Sequence, residues 1–129
     1  HTDYRSEQAF LRVLRLPFMG IQHKDRATLA LTLFYRYGDE QTEIIRQSCV
    51  MLKQKRLRWA KTVGLALRLS YALTGGNKGL LKKTDIKISN QKFILTIPEA
   101  EPIFYSGFYK SRLSRLADHL GLISEVIIK

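Results

Sequence analysis

The sequence predicts an α+β protein: four helices followed by a ββαβ unit. Three observations carry this. Apolar residues recur at helical spacing through the first 75 residues, the period changes to alternation after Gly79, and a further helical pattern then separates that alternating stretch from a terminal apolar run.

The first helix is expected over about residues 4 to 16. Thr2 and Asp3 can cap it, Ala9, Phe10, Val13 and Leu14 form its apolar face, and Pro17 ends it, because proline offers no amide hydrogen and clashes with the preceding turn. The second runs from His23 to Tyr37, with Ala27, Ala30, Leu31, Phe34 and Tyr37 on one face and Leu29 and Leu33 beside them, a stripe broad enough to be largely buried; Gly38 can terminate it. A third starts at Asp39 or Thr42 and passes through Ile45, Cys49 and Leu52. The fourth extends from about Gln54 to Leu73, buries Leu57, Ala60, Val63, Leu67 and Tyr71, and stops at Gly75-Gly76.

Beyond Gly79, Ile86 and Ile88 alternate with polar residues, as do Phe93, Leu95 and Ile97, and Ser89-Asn90-Gln91 between the two runs reads as the turn of a β-hairpin. Glu101-Pro102 is expected to open a helix that carries Tyr109, Leu113, Leu116, Ala117 and Leu120, closes at Gly121, and leads to the strand Val126-Ile127-Ile128. The sheet should pack Ile86, Ile88, Phe93, Leu95 and Ile97 against Leu113, Leu116 and Leu120 of that helix.

The formal net charge of +11 is unevenly placed. Residues 1–44 hold six bases and six acids, and residues 85–129 hold six bases and five acids. Residues 45–84 hold ten bases and no acid. A solvated face kept for solubility usually mixes signs, whereas a one-sign field attracts a polyanion. Lys53, Lys55, Arg56, Arg58, Lys61 and Arg68 are the candidate polyanion-binding residues. At 100° per residue Arg68 lies within about 20° of Lys61 and about 80° of Arg58, which makes a basic stripe on the fourth helix.

No catalytic residue and no metal site is predicted. His1, His23 and His119 lie in separate elements, and no Asp or Glu accompanies them at metal-ligand spacing. Cys49 lies on the apolar side of its helix and reads as a small core residue. The segment Thr74 to Gly79 looks superficially like a phosphate loop but follows a helix instead of a strand, so a helix stop and linker is the expectation. The longest apolar stretch, from Val63 to Leu73, is interrupted by Arg68 and is too short to span a bilayer; with no secretory pattern and a single cysteine, a cytoplasmic setting is expected. The chain begins at His1 and enters a helix almost at once, as a piece of a longer protein would.

Several motifs resemble a known family. His1-x-x-Tyr4-Arg5, Phe18-Met19-Gly20-Ile21, Arg26-x-x-Leu29-Ala30-Leu31 to Arg36-Tyr37, and Leu67-Arg68-Leu69-Ser70 look like the C-terminal region of the Ppx/GppA family of exopolyphosphatases and guanosine pentaphosphate phosphohydrolases. The resemblance covers residues 1 to about 75, and the tail looks like the small domain that ends longer members. It implies a helical HD-like part over residues 1–79 and a ββαβ subdomain over residues 80–129. Where the family has Arg-Tyr-His, this chain has Arg36-Tyr37-Gly38, and where it has Arg-Leu-Ala-Asp, this chain has Arg68-Leu69-Ser70-Tyr71. A ligating imidazole and carboxylate are thus replaced, and the HD-like part is expected to be metal-less.

In the family the phosphatase chemistry belongs to preceding domains, where a divalent metal such as Mg is expected; no cofactor is expected in this chain. The resemblance implies an accessory fragment, non-catalytic alone, that extends a polyphosphate channel and contributes to a homodimer. Its partners would be polyphosphate or another polyanion and the N-terminal catalytic domains of the same chain, with no membrane. The competing expectation is a stand-alone basic nucleic-acid-binding module, with Arg56, Arg58 and Lys61 on phosphates.

Overall fold

The computed structural model describes residues 2–15, 23–38, 45–46, 49, 52–102, 104 and 107–129. Among them the apolar periodicities fold into five helices and a three-stranded sheet, an α+β architecture. The first helix, α1, spans Thr2–Arg15, and α2 spans His23–Tyr37. They pack through Phe10, Val13, Ala30, Leu31 and Phe34, which lie in one buried cluster with Tyr35, Ile45, Leu52 and Ala60. The Gly38 amide donates to the Phe34 carbonyl at 2.9 Å and closes α2. Most of the expected third helix lies outside the described residues; of its named positions Ile45 is fully buried, Leu52 is buried, and Cys49 packs against the cluster.

The long helix α3 spans Gln54–Thr74. It stops where predicted, because Gly75 and Gly76 take φ of +59° and +89°, the left-handed region in which a side chain is strained. Its burial differs from the prediction. Ala60 and Leu57 face the cluster, but Leu67 and Tyr71, expected inside, are exposed, while Leu65, Leu69 and Leu73 are buried. The chain divides into two compact units, His1–Ala66 and Leu67–Lys129, and the division falls within α3. Leu57, Leu65, Leu67, Leu69 and Leu73 place apolar residues on several sides of α3, so spacing alone does not choose its buried stripe.

After α3 the Asn77 side chain accepts a 3.0 Å hydrogen bond from the Gly79 amide and caps a one-turn helix, α4, at Lys78–Leu81. Strands β1 (Asp85–Ser89) and β2 (Lys92–Ile97) form the predicted hairpin. Asn90 and Gln91, at φ of 51° and 63°, supply the mirror-image turn that suits strand twist. The last helix, α5, covers Lys110–His119, and β3 covers Ile123–Ile128. The sheet order is β1-β2-β3, with β1 antiparallel and β3 parallel to β2. A parallel neighbour requires a crossover, which α5 supplies.

Where the helix is predicted to open, at Glu101-Pro102, Pro102 and Phe104 take 3₁₀ geometry and the Phe104 amide donates to the Glu101 carbonyl at 3.2 Å, while the α-helix itself begins at Lys110. Gly107, just before that α-helix, lies in the left-handed region at φ +72°. The sheet core is also smaller than predicted. Phe93, Leu95 and Ile97 are buried together with Leu113, Leu116 and Ala117, and Leu120 is half-buried. Ile86 and Ile88 share the face of Leu95 and Phe93 yet stay exposed, because α5 crosses over from β2 to β3 and β1 is the strand furthest from that crossover.

Candidate polyanion-binding surface

Five of the six predicted bases sit at or near the start of α3, and Arg68 lies further along the same helix. Lys53, Lys55 and Arg58 are exposed, and Arg56, Lys61 and Arg68 are partly buried. On the helical wheel Lys55, Arg58 and Lys61 fall within about 120°, so three cations of the His1–Ala66 unit share one side of the helix, while Arg68 belongs to the Leu67–Lys129 unit. Lys53 precedes the helix.

Arg56 departs from the stripe. It projects about 160° from Arg58, and one of its terminal nitrogens bonds Asp25 Oδ1 of α2 at 2.8 Å and Thr28 Oγ1 at 3.3 Å. A phosphate approaching this guanidinium competes with a carboxylate already in place. The Lys61 ammonium lies 5.6 Å from the centre of the Tyr35 ring, a cation–π contact that steadies the side chain and keeps its positive charge. Exposed Trp59 lines a crevice of about 270 Å³ with Asp25, Thr28 and Arg56.

A second cationic feature was missed in the sequence. Arg5, Gln8 and Arg12 of α1 line a groove of about 590 Å³ whose floor includes Ala9, Val13, Leu33 and Tyr37. Arg5 and Arg12 are seven residues apart, two helical turns on nearly one line, and that spacing was the available signal. The Arg36 guanidinium stacks 4.7 Å from the centre of the Tyr37 ring. The acids Asp3 and Glu7 in the same segment cancel the charge count there and hid the pattern.

Among the described residues no three His, Cys, Asp or Glu side chains stand together as a metal-ligand set. Gly38 and Tyr71 occupy the positions that the resemblance aligns with a ligating imidazole and carboxylate, and neither residue type supplies that donor, so these residues do not fit a divalent ion. Burial pushes the Cys49 thiol above its ordinary pKa, which disfavours the thiolate a nucleophile needs. Among the described residues no helix is long and apolar enough to cross a membrane.

The described residues thus combine a helical part, with bases exposed at the start of α3, and a small ββαβ unit. The chain matches the family described as "Exopolyphosphatase, C-terminal" over residues 1–127 of its 129, and it belongs to that family. No curated protein matches it.

Proposed function

We propose that this chain is the accessory C-terminal part of an exopolyphosphatase-like phosphohydrolase, non-catalytic alone, whose cations line the path of a polyphosphate chain toward catalytic domains elsewhere in the same protein. The observation that carries this reading is the α3 stripe: Lys55, Arg58 and Lys61 on one side of one helix, within a forty-residue stretch of sequence that holds no acid and also supplies Arg68. Polyphosphate presents regularly spaced negative charge without bases. A row of cations with few stacking rings suits it better than single-stranded nucleic acid, which sequence-tolerant binders grip with aromatic side chains. Self-association, a cytoplasmic setting and a metal such as Mg in the catalytic domains belong to the same reading. The HD-like description of the helical part belongs to it too.

The test is competition. Long polyphosphate should displace a labelled anionic probe from the purified chain at least as well as single-stranded DNA of equal charge, and the chain should release no phosphate from polyphosphate or guanosine pentaphosphate. DNA winning by an order of magnitude would transfer the stripe to nucleic acid. Phosphate release abolished by a chelator would overturn the accessory reading.

A further inference from the structure

The open edge of the sheet carries a self-complementary pattern. β1 is the terminal strand in the order β1-β2-β3, so one side of its backbone has no strand neighbour among the described residues. Ser89 and Lys92 flank a two-residue turn, and such a flanking pair exchanges both ladder hydrogen bonds. Alternation then turns the backbone groups of Asp85, Lys87 and Ser89 toward β2, and those of Ile86 and Ile88 toward the open edge. Those two residues are also the uncovered ones, at 49% and 59% exposure on the otherwise buried face. On the opposite face stand Asp85 and Lys87, which form no ion pair among the described residues.

We propose that β1 pairs antiparallel with β1 of a second copy of this chain, in a register centred on Ile86, so that two three-stranded sheets become one of six strands. This inference names the surface for the self-association included in the function proposed above, and it rests on that reading. Charge selects the register. Centring on Lys87 would oppose two like ammonium groups, which is unfavourable at directly facing positions. Centring on Ile86 sets Asp85 of each copy opposite Lys87 of the other, twice by symmetry, at non-hydrogen-bonded positions where facing side chains approach most closely. It also makes the two Ile86 residues a hydrogen-bonded pair and brings each Ile88 opposite Thr84 of the other copy. The other open edge, β3, has one charged residue, Glu125, and therefore offers no complementary pair. Charged residues on an edge strand commonly discourage pairing, but here the two signs are spaced so that the strand discourages other partners and fits itself. A contact of a few residues per strand belongs to the weak, reversible class of interfaces.

Three measurements on the 129-residue chain test this. In sedimentation equilibrium at rising concentration, the chain should show a reversible monomer–dimer equilibrium. Asp85→Lys and Lys87→Asp alone should each weaken it about ten-fold or more, and the combined exchange Asp85→Lys with Lys87→Asp should restore it. In a Cys49→Ser background, Ile86→Cys should oxidise readily to a disulfide dimer, because facing residues of a hydrogen-bonded pair are about 5.5 Å apart. Ile88→Cys should not, since its symmetry mate is displaced by four residues. Polyphosphate binding by the same folded variants reports the stripe separately. A dimer indifferent to both single charge changes would overturn the β1 surface while leaving self-association in place. A chain that stays monomeric throughout would overturn both and give the edge to another occupant. Faster crosslinking through Ile88→Cys than Ile86→Cys would overturn the register.

Discussion

A Cβ added at Gly64 would lie 2.5 Å from both the Thr32 carbonyl oxygen and the Tyr35 Cβ, and 3.1 Å from the Arg36 amide. Two of those neighbours are backbone and the third is fixed to it, so the helices α2 and α3 touch here at a distance only glycine permits. Gly64→Ala gains helix propensity of up to about 1 kcal/mol but forces the helices apart. Gly64→Val adds more bulk with a smaller gain, and it should destabilise by about 1 to 3 kcal/mol, read from the urea midpoint. A change below half that range would show that the contact is looser than described. The Asp25–Arg56 pair illustrates the opposite limit. Both side chains are about half exposed, so the pair contributes on the order of 0 to 1 kcal/mol to stability. Its importance lies in occupying Arg56.

At the scale of the element, α3 decides how the sequence should be read. A helix with apolar residues on several sides offers more than one inside: the spacing predicts Val63, Leu67 and Tyr71 there, and the structure buries Leu65, Leu69 and Leu73. The last helix has a single buried stripe, and the spacing of Leu113, Leu116 and Ala117 predicts it. Leu116→Ala should cost about 2 to 5 kcal/mol, because a buried leucine leaves both lost transfer energy and a cavity. Leu67→Ala, on an exposed position, should stay within about 0.5 kcal/mol. Parallel thermal and urea unfolding of the two variants checks both values. Equal costs would restore the single-face reading of α3.

For the whole molecule the governing quantity is charge, since the net +11 acts on any polyanion before a specific contact forms. Binding to single-stranded DNA, for which the counterion slope is calibrated, should therefore weaken steeply with salt. Replacing Lys55, Arg58 and Lys61 by alanine should flatten the plot of log affinity against log salt by about 2, since each neutralised phosphate of a single strand contributes about 0.7. Titrations between low and moderate salt would measure it, and an unchanged slope would make the stripe a solvated face.

Periodicity and chemistry-bearing residue types were enough for the sequence by itself to determine the α+β class, the limits of the second helix, the hairpin with its Asn90-Gln91 turn, the terminal strand and the placement of cations between residues 45 and 84. These are local or additive properties: spacing, turn stereochemistry and charge survive without knowledge of neighbours. Only the tertiary structure decided that Arg56 faces Asp25 across 31 positions of chain, that Arg5 and Arg12 border a groove, and that Ile86 and Ile88 remain uncovered. Each depends on which elements lie side by side, and an isoleucine on an edge strand has the same alternation as one beneath a helix; what differs is whether another surface comes to rest on it.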